Sequence, residues 1–191
     1  MSAAVLYMSV SLDGYIADAG DRLGGTDGNR LHHWGLMPDG ETFRSGGVAG
    51  EMLAEYNATG AVVAGRRTVE IVDHWGGDHH GMPIFVPSHR PAGESAAKHP
   101  LVTYVTDGIA SAMRQAKEAA GDRDVLVHGA YTGQRAIEAG VLDEVQIHQI
   151  PVLLGGGRRL FDTLPSPVEL EIVRVIDTPE ATHLRYRIRR A

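Results

Sequence analysis

The chain has no cysteine, which removes disulfides, thiolate nucleophiles and cysteine-bearing zinc sites from consideration. It has no excess of positive charge either. Eighteen Lys and Arg stand against 24 Asp and Glu, a formal net charge of −6, so nucleic acid and acidic membrane surfaces are poor partners. No window approaches the roughly 20 apolar residues of a membrane span. The first residues, MSAAVLYMSVSLDGY, carry no basic leader. Ser9, Ser11 and Asp13 interrupt their apolar run, so a buried strand is expected rather than a signal peptide, and a cytoplasmic protein with it. No internal repeat or clear linker divides the 191 residues, a length that suits one domain over residues 1–191.

What is present is an alternation of short apolar runs and helical patterns. Strand-like runs occur at 4–12, 60–65, 83–87, 101–105, 124–128, 143–152, 168–177 and 182–189. Helices are expected at about 47–57, at 108–120 and from Thr132 to Gly140. In the second of these Asp107 is the expected N-cap, Ile109, Ala112, Met113, Ala116 and Ala120 form an apolar stripe, and Gly121 stops the helix. Strands alternating with helices imply a mostly parallel sheet covered on both faces, a three-layer α/β sandwich. The last two runs, joined by Thr178-Pro179-Glu180-Ala181, predict an antiparallel hairpin, making the sheet mixed. The glycine-rich segment 18–46 is expected to be a functional or mobile loop.

Five segments are of a kind that carries chemistry. Gly65-Arg66-Arg67-Thr68 follows the strand AVVA, where free backbone N–H groups and a guanidinium suit a phosphate. Pro87-Ser88-His89-Arg90-Pro91 follows PIFV and offers hydroxyl, imidazole and guanidinium at a second strand end, where an open α/β sheet binds ligands. A basic rather than acidic cluster there suits a 2′-phosphate, which favours NADPH over NADH. His128-Gly129-Ala130-Tyr131-Thr132-Gly133 is a shortened glycine turn before a helix, suited to a pyrophosphate. Asp13, at the end of the first strand, is a carboxylate able to orient a substrate or, with its pKa raised by burial, to relay a proton. Gly155-Gly156-Gly157 ends the strand DEVQIHQI and removes every β-carbon where a flat ligand approaches. Taken singly, each segment is also compatible with a plain polar turn or a solvated helix start.

In this order SLDGYIA, AGRRT, VPSHRP, HGAYTGQ and IPVLLGGGRRLF resemble the dihydrofolate-reductase-like superfamily. More narrowly they resemble the RibD C-terminal reductase domain of riboflavin biosynthesis and its stand-alone relatives. The resemblance implies a mixed eight-stranded sheet, NADPH as hydride donor and often a homodimer. It implies that Gly65, Arg66, Arg67 and Thr68 hold the cofactor's phosphates and that Ser88, His89 and Arg90 read the 2′-phosphate. It implies that His128, Gly129, Ala130, Tyr131 and Thr132 lie against the pyrophosphate, and that backbone near Ser9 and Ile16 meets the nicotinamide amide. Leu154, Gly155 and Gly156 are then expected to flank the substrate. This chain has His128-Gly129 where the family commonly has Gly-Gly. It has Tyr15 where many riboflavin reductases carry a basic residue. Glu51 and Glu55 are the candidates for an acid on the first helix.

The expectation is therefore an NADPH-dependent reductase of a pterin- or pyrimidine-like heterocycle. The competing expectation is a non-catalytic NADP-binding sensor or assembly module on the same fold. The histidine pairs His32-His33 and His79-His80, with Asp73, His74 and Asp78, lack the spacing of a metal motif, and no metal is expected. Trp34 and Trp75 are candidates for a pocket wall or for the core.

Overall fold

The structure, a computed structural model, describes residues 2–20, 30–94 and 96–190. Ten strands form. β1 is Ala4–Ser11, β2 Tyr15–Ala17, β3 Ala61–Ala64, β4 Ile84–Pro87 and β5 Val102–Val105. β6 is Val125–His128, β7 Glu144–Ile150, β8 Arg158–Arg159, β9 Leu170–Asp177 and β10 Thr182–Ile188. Four α-helices accompany them in the described residues: α1 Gly47–Asn57, α2 Arg66–Ile71, α3 Ile109–Ala120 and α4 Ala130–Glu138. Eight strands make one sheet in the order β5-β4-β3-β6-β1-β7-β10-β9, while β2 and β8 pair separately. β5, β4, β3, β6 and β1 run parallel to one another, and β9 and β10 are antiparallel. This is the mixed, mostly parallel α/β sheet with a terminal hairpin that the periodicity predicts. Among the described residues no helix is long and apolar enough to cross a membrane.

The chain divides into two compact units, one of residues 1–6 and 57–144, the other of residues 7–56 and 145–191. In the first, the central strands β3 and β6 are buried through Val62, Val63, Val125, Leu126 and Val127, as expected of parallel strands covered on both faces. α3 buries Ala112, Met113, Ala116 and Ala120 and packs on β3 and β4. Its N-cap is Gly108 at φ 98° with no side-chain cap bond, so Asp107 is not the cap. α4 begins at Ala130 rather than after Thr132, because Gly129 turns the chain at φ +94° directly behind β6.

In the second unit, α1 joins β7, β9 and β10 through a polar cluster. The Tyr7 hydroxyl donates to the Met52 carbonyl at 3.0 Å, and Arg174 grips Glu55 at 2.6 and 2.7 Å. Residues 21–29 of the glycine-rich segment lie outside those described. Its remainder forms a 3-10 turn over Arg30–Gly35 and an isolated bridge between Leu36 and Phe43. The β2–β8 pair is absent from the sequence reading, since strands of three and two residues carry no measurable period.

Candidate functional site

Three of the five segments meet in the first unit. β3 and β6 are neighbours with Ala64 opposite His128, so the turns that follow them lie side by side. A Cβ built on Gly65 would stand 2.7 Å from the Thr132 hydroxyl, and one on Gly129 would stand 2.9 Å from the Thr68 hydroxyl. Only bare backbone fits in both places, and at Gly129 the positive φ demands it as well. Arg66 then spans to the β4 end. Its Nη1 donates to the Ser88 hydroxyl at 3.4 Å and to the carbonyls of Arg90 and Pro91 at 3.3 and 3.0 Å. Its Nε donates to Glu70 at 2.6 Å, and its guanidinium lies 5.3 Å from the Tyr104 ring centre.

The convergence predicted for Gly65–Thr68, Ser88–Arg90 and His128–Thr132 is therefore real in geometry, although Arg66 braces the 88–91 turn. The side chains of Arg67, His89, Arg90 and Tyr131 are solvent-exposed, whereas Gly129, Ala130 and Thr132 are buried. Trp75 is half-buried and stacked on His128, ring centres 5.9 Å apart, so it borders this glycine turn.

The second unit holds Asp13 and the triple glycine. Asp13 accepts from the Ser11 hydroxyl at 2.6 Å, from the Leu154 N–H at 3.1 Å and from the Gly155 N–H at 2.7 Å. The Ser11 hydrogen bond, joined by those two backbone N–H groups, holds its carboxyl down at about 2. The expectation of a raised pKa is thus corrected: hydrogen bonding to the charged form outweighs desolvation, and Asp13 is ionised at neutral pH. It is a clamp on the 154–155 turn.

Gly157 packs so closely on β2 that a Cβ there would stand 2.0 Å from the Ala17 carbonyl. Gly155 and Gly156 instead border open space within these contacts. β8 follows, and Arg159 sits opposite Tyr15 with its guanidinium 4.8 Å from the ring centre. A shallow cleft of about 250 Å³ opens beside it, with Ser11, Gly14, Gln149, Arg159 and Tyr186 in its wall. Arg159 has no role in the sequence reading. The signal was its place in GGGRR, but its pairing with Tyr15 is a tertiary fact.

Ser9 and Ile16 are both buried, and the Ser9 hydroxyl takes the Trp34 indole N–H at 2.9 Å. Trp34 is 5% exposed and stacks on His148 at 4.2 Å, which makes it a core residue. Glu55 is neither a free acid nor a plain surface residue. The Arg174 fork, with Gln146 and Arg185 beside it, lowers its pKa against a partial desolvation. Glu51 is exposed.

Several solved structures share this architecture. A protein of Shewanella sp. PV-4 assigned to riboflavin biosynthesis is 24% identical, with a TM-score of 0.75 over 98% of this chain and 99% of that one. A deaminase/5-amino-6-(5-phosphoribosylamino)uracil reductase of Thermotoga maritima is 17% identical at a TM-score of 0.62. It covers 98% of this chain, which spans 56% of that protein. A pyrimidine reductase-like protein of Corynebacterium diphtheriae is 12% identical at a TM-score of 0.61, over 100% and 92% of the two chains. These likenesses establish the fold. No curated protein matches the chain. The sequence profile of the RibD C-terminal domain matches residues 4–184, spanning both units, and the chain belongs to that family.

Proposed function

We propose that the chain is an NADPH-dependent reductase that acts in the cytoplasm, as a single functional domain, on a flat nitrogen heterocycle of pterin or pyrimidine type. The observation that carries this reading is the junction of the β3, β4 and β6 ends around Gly65, Arg66, Ser88, Gly129 and Thr132. Side-chain-free backbone, hydroxyls and guanidinium groups make a donor set for phosphoryl oxygens, and these residues fit NADPH. Gly65, Arg67, Thr68 and His128 through Thr132 would hold the pyrophosphate, with Arg66 keeping the neighbouring turn in shape. Ser88, His89 and Arg90 would hold the 2′-phosphate. Backbone at Ser9 and Ile16 would orient the nicotinamide amide. When bound, the cofactor supplies a hydride.

The protein's own task is to orient and to exclude. Asp13 fixes the Leu154–Gly155 backbone, and Gly156 keeps the adjoining surface open to a planar ring. Because Asp13 is ionised, the proton that completes the reduction comes from water. Arg159, laid over Tyr15, offers a cation to an anionic substituent of the substrate. The basic charge that many riboflavin reductases carry after SLDG is thus supplied by the partner strand. Membership in the RibD C-terminal family, and the uracil-reductase relative from Thermotoga maritima, support a substrate of the riboflavin pathway.

The test is saturable NADPH binding at micromolar concentration, followed by loss of absorbance at 340 nm with a panel of dihydropterins and ribosylaminopyrimidines. Arg90→Ala is expected to weaken NADPH far more than NADH. Equal weakening of both removes the 2′-phosphate role. A second reading, a non-catalytic NADP-binding sensor or assembly module, is favoured by one observation: the candidate acid Asp13 is ionised and already accepts from three donors of its own chain. Binding of NADPH without its oxidation across the whole panel would decide for the sensor.

A further inference from the structure

Asp73, His74 and His99 form a cluster in the first unit that the reductase reading does not use. One potential ligand atom from each lies within 4.8 Å of the other two. Asp73, His74 and Trp75 take positive φ angles of 45°, 55° and 52°, a left-handed turn that residues with side chains rarely adopt. Strain of this kind persists only where surrounding structure enforces it, and it is common at ligand sites.

His74 is 1% exposed. Its Nε2 lies 2.9 Å from the Tyr104 hydroxyl, whereas its Nδ1 is buried with no hydrogen-bond partner. The nearest anionic atom to that Nδ1 is a carboxylate oxygen of Asp73 at 3.9 Å, beyond hydrogen-bond reach. With Tyr104 on Nε2, Nδ1 is the ring nitrogen left without a partner, and it stands beside a carboxylate and a second imidazole.

We propose that Asp73, His74 and His99 bind a divalent transition-metal ion of the zinc class. Two imidazoles and one carboxylate are a donor set for such an ion, and the chain needs no cysteine to build it. Bonds of about 2.0–2.2 Å hold tetrahedral ligand atoms about 3.4 Å apart. Closing the cluster from 4.8 Å to that spacing requires side-chain rotation, for which Asp73 is exposed and His99 half-buried while His74 is fixed in the core. Tyr104 takes the outer hydrogen bond that sets the tautomer of a ligating histidine. Water completes the coordination. The ion ties the turn at 73–77 to the one at 96–99, and so steadies Trp75 against His128. This inference is independent of the redox reading.

The untagged full-length chain, stripped with a chelator, is titrated with Zn²⁺ against a competing chromophoric chelator and, in parallel, with Co²⁺. One equivalent of zinc and tetrahedral cobalt bands in the visible are expected. Asp73→Asn and His99→Gln should each lose that equivalent while keeping the wild-type circular dichroism. Asparagine tolerates the left-handed backbone at position 73. Tyr104→Phe should weaken binding about tenfold. A double His33→Gln/His80→Gln variant should bind as wild type. No uptake at micromolar zinc, or an equivalent retained by either Asp73→Asn or His99→Gln, overturns the proposal.

Discussion

The Asp13 carboxylate accepts three hydrogen bonds while remaining in contact with water, and its folded-state pKa of about 2 lies below the roughly 3.9 of an unfolded chain. A group depressed in this way stabilises the fold above about pH 4, and its contribution disappears as pH falls through about 2. Asp13→Asn is therefore expected to remove part of the acid-unfolding limb between pH 4 and 2, read by ellipticity against pH. An identical limb in the variant would show that the clamp has no thermodynamic weight.

His148 follows the same sign for a different reason. It is fully buried, its Nδ1 lies 2.6 Å from the His183 Nδ1, and desolvation pushes its pKa well below the ordinary value. The unfolded chain protonates this histidine below about 6.5, while the fold keeps it neutral, so stability falls as pH drops from there. The slope is up to about 1.4 kcal/mol per pH unit for each such group. His148→Gln should lower stability at pH 7.5 yet flatten the decline between pH 6.5 and 5, measured by urea unfolding. Gly129→Ala forces a methyl to 2.9 Å from the Thr68 hydroxyl at φ +94°. A cost of about 1–3 kcal/mol is expected, with loss of NADPH binding.

At the scale of elements, the β9–β10 hairpin carries an unusual load. Register places Leu170, Ile172 and Val175 opposite Ile188, Tyr186 and Leu184, with the irregularity at Val173 keeping all six on one face. On β9 those three are 40%, 65% and 54% exposed, on a strand at the edge of the sheet. An apolar edge of this length is a pairing template. A homodimer through this hairpin is the expected state, with light scattering giving twice the chain mass at micromolar concentration and Ile172→Lys giving the monomer. A wild-type monomer would refute it. The hairpin itself was legible from its two alternating runs, and so was every other strand of the main sheet to within two residues at either end. β2 and β8 were not, because pairs this short are specified by the Gly157–Ala17 approach rather than by local pattern.

At the scale of the whole molecule, a ligand that binds only the folded chain stabilises it by mass action. NADPH at about one hundred times its Kd should add about 2.7 kcal/mol. For a chain of this length that raises the Tm by roughly 5–11 °C. NADH at the same concentration should raise it less, and equal shifts would count against the 2′-phosphate site. A net charge of −6 confines the basic groups to local work, as the Arg66 and Arg159 contacts illustrate.

The sequence by itself determined the order and type of the major elements and the glycine and arginine punctuation at the strand ends. Periodicity and turn chemistry act over a few neighbouring residues, so a linear reading captures them. Folding in three dimensions added to the local Ser11 bond the two backbone donors on Asp13 that lie 141 and 142 positions away in the chain. It alone decided the pairing of Glu55 with Arg174 across 119 positions, and the gathering of His99 with Asp73 and His74. Protonation, ion pairing and ligation depend on distances through space, which spacing along the chain does not encode.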